Sequence, residues 1–374
     1  MNVLLTCGGS GGHITPALAI AGELRRRDPD AGILFIGADR EMEKRLIPAS
    51  GYRLENVEMA GFVRSVSPKA FAENANTLRL IAQAKRKVRR LIGEFKPDVA
   101  VGTGGYVCYP VLKTASRCGV PTVVHESNSI PGLTTKLLQP TLDRILVAFP
   151  GSERHYAVKS KVVLTGTPVR GDFITATKAG ARTALGLGNR PVVVSIWGSL
   201  GASKMNEYMA DFIAENARTG AFHHIHATGG GAEGKARMLE MLKARGLETL
   251  PENVDLREYI YDMGQVMNAA DLVLCRAGAS TLAELTALGK PSVLVPSPNV
   301  TNHHQERNAE AMEQAGASVM IREENCSGTV LLDTVLSLIS DEDRLERMSE
   351  SAGKLGIPDS AQRIADLLEE LANA

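Results

Sequence analysis

Short apolar runs along the chain alternate with longer stretches whose apolar residues recur at helical spacing. Val3 to Leu5, Gly32-Ile33-Leu34-Phe35-Ile36, Val99-Ala100-Val101, Thr122-Val123-Val124 and Arg144-Ile145-Leu146-Val147 read as strands. Ala17-Leu18-Ala19-Ile20-Ala21-Gly22-Glu23-Leu24 is one of the helical patterns between them. Continuously apolar strands separated by helices are what a parallel sheet covered on both faces requires. The rhythm restarts at Pro191 and continues through Val192-Val193-Val194-Ser195-Ile196, Val254-Asp255-Leu256, Leu272-Val273-Leu274 and Ser292-Val293-Leu294-Val295. The pattern predicts two α/β domains facing one cleft. Their join is placed near Thr165-Gly166-Thr167-Pro168, with the second sheet beginning after the polar stretch Lys178 to Asn189. A terminal helix, Ser360 to Leu371, follows the break Gly356-Ile357-Pro358.

Length agrees, since 374 residues exceed what one hydrophobic core usually serves, and 44% hydrophobic content is enough for two. Lys and Arg total 42 against 42 Asp and Glu, so no global charge points to nucleic acid, and any basic patch must be local. One such patch is a helix that places Leu78, Ile81, Val88 and Leu91 on one face, with only basic charges between Glu73 and Glu94. A basic face is ordinarily just solvated, but it also suits anionic lipid headgroups. Aromatic anchors are scarce there, with Phe71 alone. Cys7, Cys108, Cys118, Cys275 and Cys326 are scattered and form no C-x-x-C, which reads as buried thiols in a reducing cytoplasm. Met1-Asn2 leads straight into a strand and no apolar run is long enough to span a bilayer, so the expectation is a soluble or membrane-surface protein.

Five glycine-bearing or polar loops fall at predicted strand ends, where a doubly wound sheet delivers residues to a ligand. They are Gly8-Gly9-Ser10-Gly11-Gly12-His13, Gly102-Thr103-Gly104-Gly105-Tyr106, His125-Glu126-Ser127-Asn128, Gly198-Ser199-Leu200-Gly201-Ala202, and Arg276-Ala277-Gly278-Ala279-Ser280-Thr281-Leu282-Ala283-Glu284. Glycine lets backbone approach a ligand, and a following helix N-terminus offers N–H donors to phosphate. A strict dinucleotide G-x-G-x-x-G is absent, because Ile14 and Lys204 stand where its third glycine would fall.

His13 and His125 are the candidate general bases, since imidazole titrates near neutrality, and Glu126 is an alternative acceptor of a proton. Tyr106 suits binding or orientation only. Thr281 and Glu284 form a T-x-x-E pattern that reads either as a capping box or as a site in which the Ala279 to Thr281 N–H groups hold a phosphate and Glu284 takes ribose hydroxyls. Asn302-His303-His304-Gln305 follows another strand end and suits a sugar pocket. The triplets Asp28-Pro29-Asp30 and Asp341-Glu342-Asp343 lie away from every glycine loop, so no metal site is built on them; the second reads as an acidic helix start.

In order, Gly-Gly-Ser-Gly-Gly-His, Gly-Gly-Tyr-Val, His-Glu-x-Asn, Thr-Gly-x-Pro-Val-Arg, Gly-Ser-x-Gly-Ala, Arg-x-Gly-Ala-x-Thr-x-x-Glu and His-Gln-x-x-Asn-Ala resemble glycosyltransferase family 28, the peptidoglycan N-acetylglucosaminyltransferases, over nearly the whole chain. The resemblance implies a GT-B fold: a Rossmann-like acceptor domain over 1–166 with the C-terminal helix 357–374, and a Rossmann-like donor domain over 167–356, with the active site between them. It implies inverting, metal-independent transfer from UDP-GlcNAc to the muramyl 4-hydroxyl of lipid I (undecaprenyl-pyrophosphoryl-MurNAc-pentapeptide), giving lipid II at the cytoplasmic face of the bacterial inner membrane, without a cofactor or nucleic acid. It also implies that Ser10, Gly11 and Gly12 approach substrate phosphates and that Tyr106, His125, Asn128, Asn206 and His304 line substrate. Asn128 would meet the donor sugar. Arg170 and Ser199 would hold the pyrophosphate, Ile260 would pack by the uracil, Ala279, Ser280 and Thr281 would sit at the phosphates, Glu284 would grip the ribose and Gln305 the sugar hydroxyls. His13 would be the base, with Glu126 the runner-up. The second loop departs from the family's Gly-Gly-Ser-Gln-Gly-Ala, with Trp197 for the first glycine and Leu200 for the glutamine; Trp197 is expected at the edge of the donor loop. Two other readings remain at this stage: a related GT-B transferase with another lipid acceptor, and a nucleotide-sugar-binding subunit without chemistry.

Overall fold

The computed structural model describes residues 1–59, 68–128, 130–171, 173, 176–198, 201–300 and 303–374, and side chains for all of these but 68–73, 75 and 78. The chain divides into two units, Met1–Gly171 with Asp359–Ala374, and Asp172–Pro358. The first unit runs past residue 166 to Gly171, so Arg170 is part of it.

In the first unit, β1 (Asn2–Cys7), β2 (Gly32–Ala38), β3 (Arg53–Val57), β4 (Val99–Gly102), β5 (Thr122–Glu126), β6 (Arg144–Val147) and β7 (Val162–Leu164) form one parallel sheet in the order β3-β2-β1-β4-β5-β6-β7. Both faces are covered, which explains the unbroken apolar runs. Val3, Leu5 and Cys7 enter one core, with the helix Gly11–Arg27. Leu4 points into the other, with Val88 and Leu91 of the helix Pro68–Phe95 and Val111 of the helix Cys108–Arg117. The last helix, Ser360–Ala372, returns to this unit: Ile364, Ala365 and Leu368 are fully buried in the Val3 core. Arg27 fastens it by donating to Asp366 at 2.6 Å and to the Gln362 carbonyl at 2.9 Å.

The second unit repeats the plan with β8 (Val192–Ile196), β9 (His223–Ala227), β10 (Val254–Arg257), β11 (Leu272–Cys275), β12 (Ser292–Leu294) and β13 (Ser318–Met320), parallel in the order β10-β9-β8-β11-β12-β13. Strand order reverses between β1 and β4 in one unit and between β8 and β11 in the other. Such switch points, at the carboxyl ends of the strands, are where open α/β sheets bind ligands.

Several details differ from the sequence reading. β5 runs through His125 and Glu126, which were expected in the loop after it. The polar stretch before the second sheet holds a helix, Lys178–Ala184, whose N-cap Thr177 hydroxyl accepts from Gly180 N–H. Cys118 is exposed, and the other four cysteines are buried. The Asp341 carboxylate does cap its helix, accepting from Arg344 N–H at 2.9 Å. The basic helix buries Ile81, Val88 and Leu91; the side chains of Leu78 and Phe71 lie outside the described residues. Its cations are partly neutralised, because Lys87 meets Glu55 at 3.4 Å and Arg90 meets Glu94 at 3.6 Å. Among the described residues no helix is long and apolar enough to cross a membrane.

Candidate active site

At the first switch point two glycine loops interlock. Gly8 N–H donates to the Gly104 carbonyl at 3.2 Å. Gly104 and Gly105 both take positive φ, +122° and +91°, and a Cβ on either would overlap the His13 ring or the Gly8 carbonyl. Glycine is therefore required here by backbone shape and by close approach together. The buried Cys108 thiol pins the same peptide, donating to the Gly104 carbonyl at 3.0 Å; burial pushes its pKa up to about 12, which keeps it a thiol. Ser10, exposed and extended, is the N-cap of Gly11–Arg27, so Gly11, Gly12 and His13 form that helix's first turn.

His13 Nδ1 lies 3.1 Å from the Thr103 carbonyl oxygen. A carbonyl only accepts, so Nδ1 carries the proton and Nε2 keeps its lone pair. Burial lowers the pKa of the ring, against opposing contributions from the Glu126 charge and the Thr103 carbonyl. The helix N-terminus acts in the same direction as burial. At neutral pH the result is an uncharged imidazole with a basic Nε2.

His125 and Glu126, the other candidates, are otherwise engaged. His125 is 1% exposed, with Nε2 donating to the Gly166 carbonyl at 2.9 Å and Nδ1 accepting from Ser127 Oγ at 3.3 Å. It ties β5 to the Thr165-Gly166 turn and has no face for substrate. The buried Glu126 carboxylate accepts four hydrogen bonds: from Asn128 N–H at 3.1 Å and Asn128 Nδ2 at 2.9 Å on one oxygen, and from Gly132 N–H at 3.0 Å and Thr135 Oγ1 at 2.7 Å on the other. These donors occupy the lone pairs a base would use. Glu126 instead holds the loop carrying Asn128, which is half-buried. Tyr106 stands on the surface at 57% exposure, and Arg170 is half-buried after the buried turn Thr165–Val169.

The second unit also interlocks two glycine loops, one of which the sequence reading passed over. Gly201, at φ +74°, packs against Thr228 and Gly229; a Cβ there would stand 2.6 Å from the Thr228 carbonyl. Asn206, expected to bind substrate, is buried and holds that same carbonyl at 2.9 Å. Ser199 and Leu200 lie outside the described residues, as does Asn302. Trp197 does not edge the loop: its indole is 3% exposed within the second unit's core. Ile260 is likewise buried, at 2%, while the rings of its neighbours Tyr259 and Tyr261 pack against each other with centroids 5.0 Å apart.

After β11 the helix Ala279–Ala287 starts at the extended N-cap Gly278, and its first ladder bond runs from Leu282 N–H to the Gly278 carbonyl. The N–H groups of Ala279, Ser280 and Thr281 therefore precede the helical ladder, the position that suits phosphate. This start overturns the capping-box reading, because Thr281 is the third residue of the helix rather than its cap. Glu284, one turn further in, is half-buried. Arg276 serves the loop, pairing with Glu323 at 2.5 Å and donating to the Val295 and Pro296 carbonyls. Buried Asn308 donates to the Ala277 carbonyl at 3.1 Å, a role hidden within the His-Gln-x-x-Asn pattern. Gln305 Oε1 accepts from Ser297 N–H at 2.9 Å, and His304 beside it is half-buried at the start of the helix His304–Gln314. Among the described residues no group of three or more His, Cys, Asp or Glu side chains is placed to hold a metal ion.

Two doubly wound parallel sheets with glycine loops at their switch points make the GT-B fold. Residues 3–147 match the glycosyltransferase family 28 N-terminal domain and residues 192–364 its C-terminal domain, and the chain belongs to this family. It is 41% identical over 372 residues, 99% of its length and 98% of the relative's, to the UDP-N-acetylglucosamine--N-acetylmuramyl-(pentapeptide) pyrophosphoryl-undecaprenol N-acetylglucosamine transferase of Acetivibrio thermocellus. The Halalkalibacterium halodurans protein of the same name is 37% identical, with all of both chains covered. The crystal structure of Acinetobacter baumannii MurG superimposes with a TM-score of 0.71 at 23% identity, covering 99% of each chain.

Proposed function

We propose that the chain transfers N-acetylglucosamine from UDP-GlcNAc to the muramyl 4-hydroxyl of lipid I, forming lipid II. The observation that carries the chemistry is His13: a neutral imidazole fixed through Nδ1, with Nε2 as base, at the switch point of the first unit. In this reading Nε2 takes the hydroxyl proton as the oxygen attacks the anomeric carbon. The bond from that carbon to the β-phosphate oxygen breaks, UDP leaves with the electron pair, and the anomeric configuration inverts. The N–H groups of Ala279, Ser280 and Thr281, with the Arg170 guanidinium, meet the developing diphosphate charge, a role that needs no divalent cation or other cofactor. Glu284 takes the ribose hydroxyls, and Asn128, Gln305 and His304 the sugar. With the Ile260 side chain turned into the core, only its backbone is left to meet a uracil.

Membrane attachment falls to the basic helix. Lys85 of this helix lies near Arg117 and Lys113 of the next, and its pKa is lowered by burial and by those two cations. Such a cluster favours anionic headgroups, which supports a peripheral position on the cytoplasmic membrane face, next to the lipid acceptor. A panel of donors and acceptors with purified protein tests the reading. Transfer from UDP-GlcNAc to lipid I in excess chelator is the expected result. Transfer only to diacylglycerol or a sterol, donor binding without transfer, or a requirement for magnesium would contradict it.

A further inference from the structure

Beneath the first glycine loop lies a carboxylate that the reaction just described does not use. Glu43, in the third position of the helix Glu41–Ala49, is fully buried. Its Oε1 accepts from Gly9 N–H at 2.9 Å, while Oε2 is buried without a partner. Space for the group comes from two glycines: a Cβ on Gly8 would stand 2.9 Å from Oε1, and one on Gly37 would stand 3.4 Å from Glu43 Cγ. Burying a carboxylate with one oxygen unsatisfied is costly, and a structural role alone would be met better by an apolar side chain of the same size.

We infer that Glu43 is a positioning residue for acceptor binding: it draws the Gly9 N–H inward and so fixes which loop N–H groups face the acceptor's diphosphate. A run of backbone N–H groups forms an anion nest whose shape depends on where each N–H points. Gly9 sits at φ +91°, and the peptide that carries its N–H is held from both ends, the N–H by Glu43 and the Gly8 carbonyl by Gly105, where a Cβ would stand 2.3 Å from that oxygen. With Gly9 turned inward, the diphosphate is left to Ser10, Gly11 and the start of the helix Gly11–Arg27. The inference rests on the proposed transfer reaction, since it concerns that reaction's acceptor.

The test compares Glu43→Met, which fills the volume and removes the acceptor atom, with Glu43→Gln, which keeps an oxygen for Gly9. Both are assayed with a soluble lipid I analogue, alongside calorimetric UDP binding. Glu43→Met is expected to raise the acceptor KM about tenfold or more, the scale of one lost charged hydrogen bond, with UDP affinity unchanged and Glu43→Gln close to wild type. An unchanged acceptor KM in Glu43→Met, or equal losses in acceptor KM and UDP affinity, overturns the inference. Should Glu43→Met not fold, amide exchange in the wild-type chain decides: Gly9 exchanging more slowly than Ser10 supports it, and equal rates overturn it. Failure of the wild-type chain to transfer sugar would instead overturn the proposed reaction, and would be seen before any variant is made.

Discussion

The Nδ1 of His13 stands 3.1 Å from the carbonyl oxygen of Thr103, and the Thr103 hydroxyl returns a 2.6 Å hydrogen bond to the His13 carbonyl. His13 lies in the first turn of the helix after β1 and Thr103 in the loop after β4, and this reciprocal pair fixes the ring, its tautomer and the loop together. Because His13 acts as a base only when uncharged and its pKa is lowered, activity is present above that pKa and is lost as the pH falls through it. The acid limb of kcat/KM is therefore expected below pH ~6.5, the ordinary histidine value. An acid limb well above that value would show that another group, or a charged His13, governs the reaction.

Glu126→Gln separates a clamp from a base. The amide offers one oxygen where four donors now converge, so thermal or denaturant unfolding should show a loss of about 1 to 3 kcal/mol. The acid limb of the pH profile should stay where it is. Unchanged stability with an abolished acid limb would return the base to Glu126.

Glu284→Ala is expected to weaken UDP-GlcNAc binding by about 1.5 to 3 kcal/mol, the range for charged hydrogen bonds. The helix is capped at Gly278, so the stability loss of a destroyed capping box should not appear. Calorimetry and melting on one sample decide. A lower melting temperature with unchanged donor affinity would assign Glu284 to the fold.

The parallel sheets were legible in the sequence because most of their strands are buried on both faces and read as uninterrupted apolar runs. β9 was not, since His223-His224-Ile225-His226-Ala227 looks polar. In the fold Ser195 Oγ lies 2.8 Å from His224 Nε2 and 2.6 Å from His226 Nδ1, so one hydroxyl serves two fully buried rings, a pairing across strands that no local pattern shows. The site divides in the same way. The glycine loops and His13 stood out in sequence, whereas Thr103, Cys108, Asn308 and the four donors around Glu126 act through contacts made only by folding. The T-x-x-E pattern misled because an extended Gly278 starts the helix three residues before Glu284's supposed cap partner.

The same histidine pair predicts acid lability. Burial holds the His224 pKa well below its ordinary value and brings that of His226 down to about 3. The unfolded chain takes up these protons near pH ~6.5 and the folded chain does not, so stability is complete above that pH and falls as the pH drops toward 3. The slope should be about 1.4 kcal/mol per histidine for each pH unit in that window. Denaturant titrations at pH 7.5 and 5.5 measure it, and His226→Gln should reduce the slope. Equal stability at the two pH values would mean that the rings are protonated in the folded chain.

Sugar transfer with His13 as base is tested most directly by the turnover of His13→Ala beside wild type, with UDP-GlcNAc and a lipid I analogue. UDP affinity is measured on the same preparations. Wild type should release one UDP for each sugar transferred. The variant's kcat should fall by roughly 10²-fold or more with UDP binding unchanged, as expected when a general base is removed from a site whose donor contacts lie on other residues. Turnover near the wild-type rate in His13→Ala would contradict the account.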